Sequence, residues 1–79
     1  MINKMFGKAI RKKRLFMGIS QEELAHKSGL HRTYIGAIER GEKNISLKNM
    51  EKLINALETS FIDVFLEVQK HIENENNER

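Results

Sequence analysis

Gln21-Glu22-Glu23-Leu24-Ala25-His26-Lys27-Ser28-Gly29-Leu30-His31-Arg32-Thr33-Tyr34-Ile35-Gly36-Ala37-Ile38-Glu39-Arg40 sets small, flexible and apolar residues at fixed offsets. Within these twenty residues Ala25 is fifth, Gly29 ninth, Ile35 fifteenth and Ile38 eighteenth, with Leu24 and Leu30 apolar beside them. Two helices that cross steeply must touch closely, and Ala25 is small enough to permit it. The turn between them needs a residue that accepts positive φ, which Gly29 does without steric cost. Ile35 and Ile38 then anchor the inner face of the second helix beneath the first. The combination predicts a helix-turn-helix whose core is Leu24, Ala25, Gly29, Leu30, Ile35 and Ile38.

Helix signals continue on both sides. Ile2, Met5, Phe6, Ala9, Ile10, Phe16 and Met17 recur at helical spacing, and Gly18 supplies a stop. The outward face of this first helix carries Lys4, Lys8, Arg11, Lys12, Lys13 and Arg14, without an acid among them. Ser20 and Glu23 form a capping box that opens the second helix, which closes at Gly29. The third runs from His31 or Arg32 to Arg40 and stops at Gly41. Ser46 caps a fourth with the stripe Leu47, Met50, Leu53, Ile54 and Leu57, and Thr59 or Ser60 caps a fifth. No segment alternates apolar and polar residues, so no strand is expected. The fold class is all-α, a compact five-helix bundle. Residues 1–72 are expected to form one domain, and the polar residues 73–79 a disordered tail.

A chain of 79 residues has room for one core and is marginal as a monomer. The sequence has no cysteine, which removes disulfides and thiolate zinc sites. His26, His31 and His71 are not spaced to share a helical face, so no metal and no cofactor is expected. Self-association is the remaining way to stabilise so small a scaffold. On the fifth helix Phe61, Val64, Phe65 and Val68 can serve the core, while Ile62 and Leu66 form a second apolar face. A homodimer interface is therefore expected at Ile62, Phe65 and Leu66, with part of the fourth helix. Residues 1–50 carry eleven Lys and Arg against four Glu, a balance of +7, and residues 51–79 balance at −4. The basic part suits a polyanion. No apolar run approaches membrane-spanning length, so a cytoplasmic protein with no membrane partner is expected. No nucleophile with a base, no phosphate-binding glycine loop and no metal cluster suggests an enzyme, and no small-molecule ligand is expected.

The third helix leaves His31, Arg32, Thr33, Gly36, Ala37 and Arg40 facing outward. In a helix-turn-helix this helix enters the major groove of double-stranded DNA and its N-terminal residues meet base edges. Arg32 suits a bidentate contact to guanine, and Thr33 offers a hydroxyl to a base or a methyl to thymine. Gly36 and Ala37 would let the helix lie close to the DNA. Gln21 stands at a helix N-terminus, where an anion is favoured, so a phosphate contact is expected there. Lys43, Asn44 and Ser46 follow the recognition helix and would meet the backbone or the outermost bases. Arg40 would meet a phosphate. Tyr34 is open to two roles, packing in the core or reaching a phosphate through its hydroxyl.

Ser20-Gln21-Glu22-Glu23-Leu24-Ala25, Gly29-Leu30, Tyr34-Ile35 and Ile38-Glu39-Arg40-Gly41 resemble the Xre/Cro/phage-repressor family, over residues 6–66. Arg32-Thr33-Tyr34-Ile35, Ile38-Glu39-Arg40 and Asn44 are similar to the controller proteins of restriction–modification systems. The resemblance implies a lambda-repressor-like fold and a dimer on operator DNA ahead of its own and the endonuclease gene. It also implies activation at low protein level and repression at high level. Base contacts for Arg32 and Thr33 follow from it, with phosphate contacts for Gln21, Tyr34 and Asn44, a further DNA contact for Lys43, and an ion pair between Arg14 and Glu39. Two residues depart from the pattern. Lys43 stands where arginine is common, which removes the bidentate fork. His31 replaces a short cap such as Asp or Ser and becomes a candidate base contact itself. Glu22 has two readings, complement to the helix N-terminus and contact with the sigma factor of RNA polymerase. A phage-type repressor or small Xre regulator fits the same residues. So does the antitoxin of a toxin–antitoxin pair, although seven polar residues make a poor partner-binding segment.

Overall fold

The computed structural model describes residues 1–77. It contains five helices, α1 (Ile2–Met17), α2 (Gln21–Ser28), α3 (Arg32–Glu39), α4 (Leu47–Ala56) and α5 (Phe61–Asn77), and no strand among the described residues. Local chemistry sets the boundaries. The Ser20 hydroxyl accepts from Glu23 N–H at 3.0 Å while Glu23 Oε1 accepts from Ser20 N–H at 3.1 Å, which completes the capping box. Gly29 ends α2 at φ 73°, a left-handed position that a side chain would disfavour. Ser46 accepts from Asn49 N–H, and Ser60 rather than Thr59 accepts from Asp63 N–H, each at 3.1 Å.

One face of each helix turns into a common core. Met5, Phe6, Ala9 and Ile10 of α1 meet Leu24 and Ala25 of α2, Ile35 and Ile38 of α3, Leu53 and Ile54 of α4, and Val64 and Val68 of α5. Leu30 is half-buried against this cluster. The crossing of α1 over α3 is tight. A Cβ at Gly7 would run into the carbonyl oxygens of Ile38 and Glu39, so only glycine lets the helices come this close.

Three expectations are corrected. Ile2 and Phe16 share the helical period of the inner face of α1, yet both are exposed, Phe16 by 91%. Ile2 is the first helical residue. Phe16 stands beside the Leu57–Thr59 turn, where nothing closes over it. Leu47 likewise begins α4 in solvent rather than in its apolar stripe. Residues 73–77, expected in the disordered tail, continue α5 to Asn77. Ile72 packs against the core and residues 73–77 contain no glycine or proline, so the helix propagates past its last buried turn. The rest of that expected tail, residues 78–79, lies outside the described residues.

Candidate nucleic-acid interface

The helix that carries the candidate base-reading residues is short, and burial and hydrogen bonds tie it to its neighbours. From Ile35 to Glu39 every residue of α3 is buried. Arg14 reaches across from α1, with Nε donating to Glu39 Oε2 at 2.7 Å and Nη2 to Glu39 Oε1 at 3.0 Å. Its remaining nitrogen, Nη1, donates to the Ile19 carbonyl at 2.9 Å. Gln21 completes the set from α2, its Nε2 donating to Glu39 Oε1 at 3.1 Å. Hydrogen bonding to Glu39 pushes the Arg14 guanidinium above its ordinary value, against the opposing pull of burial. One carboxylate thus ties α1, α2 and α3 together, and each of its oxygens accepts a charge-assisted bond.

The first turn of α3 stays open beyond this clamp. Arg32 and Thr33 are exposed. His31 caps the helix, its Nδ1 accepting from Thr33 N–H at 3.2 Å, which requires the ring proton on Nε2. An imidazole therefore replaces the usual short cap, one residue ahead of Arg32. Tyr34 combines the two roles left open by its sequence. It is half-buried against the core, and its hydroxyl accepts from Asn49 Nδ2 at 3.2 Å, which links α3 to α4.

Gly36 and Ala37 are corrected. Both are buried rather than outward-facing, because α1 and α2 pack on this eight-residue helix and leave only a narrow open strip. Gly36 makes room for two side chains; a Cβ there would lie 3.1 Å from Arg40 Nη1 and 3.6 Å from Gln21 Oε1. Arg40 is exposed, but its guanidinium grips Glu42 at 2.9 and 3.1 Å. That bond holds the Glu42 carboxyl below its ordinary value and raises Arg40, so a phosphate at Arg40 must compete with Glu42. Lys43, Asn44 and Ser46 are exposed in the segment before α4, and Asn44 Oδ1 accepts from Asn3 Nδ2 at 2.7 Å. Asn3, Asn49 and Glu42 are partners that sequence reasoning missed. Only Glu42, two residues from Arg40, left a local trace.

Residues 10–64 match the helix-turn-helix family. The chain belongs to that family. Within it the chain stands among the control proteins of restriction–modification systems. It is 51% identical over 57 residues to control protein C.BamHI of Bacillus amyloliquefaciens, covering 71% of this chain and 70% of that one. Its fold matches the crystal structure of the restriction–modification controller C.AhdI from Aeromonas hydrophila, with a TM-score of 0.77 and 44% identity over 78% of this chain and 94% of that one. It also matches the controller C.Esp1396I, solved as a tetramer in complex with its natural 35 base-pair operator. There the TM-score is 0.85 and the identity 39%, over 91% and 95% of the two chains. This helix-turn-helix protein is thus a DNA-binding transcription regulator. Among its described residues no helix is long and apolar enough to cross a membrane.

Proposed function

We propose that this protein is the controller of a restriction–modification system, a homodimer that activates and then represses transcription from its own operator as it accumulates. The observation that carries this reading is the first turn of α3, where Arg32 and Thr33 are exposed on a helix otherwise buried and clamped by Glu39. Such a helix presents side chains to a groove without having to order itself on binding. In this reading Arg32, Thr33 and His31 meet base edges, and Lys43 meets the backbone at the edge of the outermost bases. Gln21, Tyr34, Arg40, Asn44 and Ser46 meet or position against phosphates, fixing register without reading sequence. The likeness to a controller solved on its operator supports DNA as the partner. Ile62 and Leu66, exposed by 73% and 57%, and Phe65, by 41%, supply the apolar face for a second copy. Activation then calls for a contact with RNA polymerase, and in this reading Glu22, exposed on the first turn of α2, meets the sigma factor.

The test joins footprinting to a reporter. DNA upstream of this gene and of a neighbouring endonuclease gene is expected to show two protected half-sites about 34 Å apart. A reporter on the same DNA is expected to rise and then fall as the protein is titrated. Protection of neither region, or a flat reporter, removes the controller reading. Glu22→Lys is expected to keep the footprint and lose the rise.

A further inference from the structure

Lys4, Lys8 and Arg11 form a stripe along the outer face of α1, at the three- and four-residue steps that place side chains on one face of a helix. All three are exposed. Among the described residues no carboxylate lies within 4.0 Å of any of them, whereas the neighbouring Lys12 is bonded to Glu67 at 2.9 Å. Like charges one turn apart repel and destabilise a helix, so the stripe does nothing for the fold and suits a polyanion. Its position says which one. At its N-terminal end Asn3 is bonded to Asn44 at 2.7 Å. The Gly41 backbone packs so closely there that a Cβ on it would lie 2.7 Å from Lys4 Cα. The stripe is therefore continuous with the segment behind the recognition helix, which carries Lys43 and Asn44. Further along, Lys8 and Arg11 line an open groove between α1 and His71 of α5.

We propose that Lys4, Lys8 and Arg11 form a second phosphate-binding strip, which takes the sugar–phosphate backbone of duplex beyond the base pairs read by α3. The proposal rests on the DNA-binding reading of α3. From Lys4 to Arg11 the helix rises about 10 Å at about 1.5 Å per residue. One strand of duplex carries a charge about every 3.4 Å of its axis, so a strip of this length reaches more than one phosphate. Lys12 is excluded because Glu67 already neutralises it. The strip contributes affinity and salt sensitivity and leaves base preference to Arg32 and Thr33.

The test uses the full-length protein and a site that it selects from a random duplex pool. That site is placed in two duplexes, one trimmed to the selected base pairs and one extended by a helical turn, about 10 base pairs, on each side. Binding is measured across a salt series. The parent is expected to bind the extended duplex more tightly and with a steeper salt slope. Lys8→Gln/Arg11→Gln removes two charges per protomer, four per dimer. At about 0.9 per phosphate, the slope on the extended duplex is expected to fall by about 3–4 while that on the trimmed duplex stays. Lys52→Gln/Lys70→Gln has the same net charge and is expected to preserve the difference between the duplexes. An unchanged slope on the extended duplex overturns the proposal and leaves the stripe facing some other partner, such as an acidic protein surface. An equal fall on both duplexes overturns it too, since a diffuse field needs no flanking contact. Failure of the parent to select any site would instead strike the DNA-binding reading itself.

Discussion

Glu39 sits where a carboxylate is hard to accommodate, buried at the end of a helix packed among apolar side chains. Arg14 resolves this by matching both of its oxygens with a planar fork, and Gln21 adds a third bond. A buried pair of this kind need not be worth much against an apolar replacement of the same shape. Removing one partner is different, because it strands the other charge, at a cost of about 3–5 kcal/mol. Glu39→Gln is therefore expected to destabilise the protein by at least about 3 kcal/mol. For a domain of this size that is a fall of more than about 10 °C in Tm, read by circular dichroism. Arg14→Lys keeps the charge but loses the fork, so it too is expected to fall short of the parent. An unchanged melt for Glu39→Gln would mean that the pair contributes no more than an exposed one, about 0–1 kcal/mol.

Between elements, two glycines of similar appearance in the sequence have opposite roles. At Gly7 an added Cβ meets backbone carbonyls of α3, which cannot move without carrying the recognition helix with them. Gly7→Ala is expected to lower stability by about 1–3 kcal/mol. At Gly36 the added Cβ meets the far ends of Arg40 and Gln21, which can yield, and alanine gains up to about 1 kcal/mol of helix propensity. Gly36→Ala is expected to melt at or slightly above the parent; the reverse order would refute this account of the α1–α3 contact. The same contrast marks how much of the fold is legible in the sequence. Helix ends are legible at Gly18, Ser20, Gly29, Gly41 and Ser46, because caps and stops depend on residues within one turn. The spacing of Ala25, Gly29, Ile35 and Ile38 likewise reveals the turn and its core. Gly7, Asn3 and Asn49 are not legible, since each acquires its role from a neighbour far along the chain. Phe16 misleads because periodicity tells which face a residue occupies and not how far the covering helix extends. The α1–α5 contact adds a pH dependence. Glu67 is buried, and its hydrogen bond from Lys12 holds its carboxyl below the ordinary value despite burial. A carboxyl depressed in the folded state contributes stability above its unfolded value, about 4.3. That contribution is lost as pH falls through the lower folded value. Glu67→Gln is expected to be less stable than the parent at neutral pH, with the gap closing below about pH 4–5. A gap constant with pH, measured by denaturant titration, would assign its cost to packing instead.

For the molecule as a whole, size and exposed surface point the same way. The core is small, and Ile62, Leu66 and Leu47 stay in solvent in a single copy. Pairing two copies through α5 and the start of α4 would cover them. Leu66→Glu is expected to give a monomer by sedimentation, with a lower Tm that no longer rises with concentration; an unchanged dimer would remove Leu66 from the interface. Dimerisation would also double every contact with DNA, which separates reading from holding. A bidentate arginine–guanine contact discriminates against the wrong base by about 1–3 kcal/mol, so two copies of Arg32 supply about twice that on a two-fold operator. Arg32→Ala is expected to weaken operator binding by that doubled amount, while binding to random duplex, which loses one charge per protomer, changes far less. Lys43→Ala is expected to show the opposite balance, weakening all duplexes and flattening the salt slope by about 0.9 for each phosphate no longer neutralised. Competition between operator and random duplex reads both. An equal loss on the two duplexes for Arg32→Ala would make Arg32 a phosphate anchor. Base reading would then move to Thr33 and to His31, whose imidazole caps the helix.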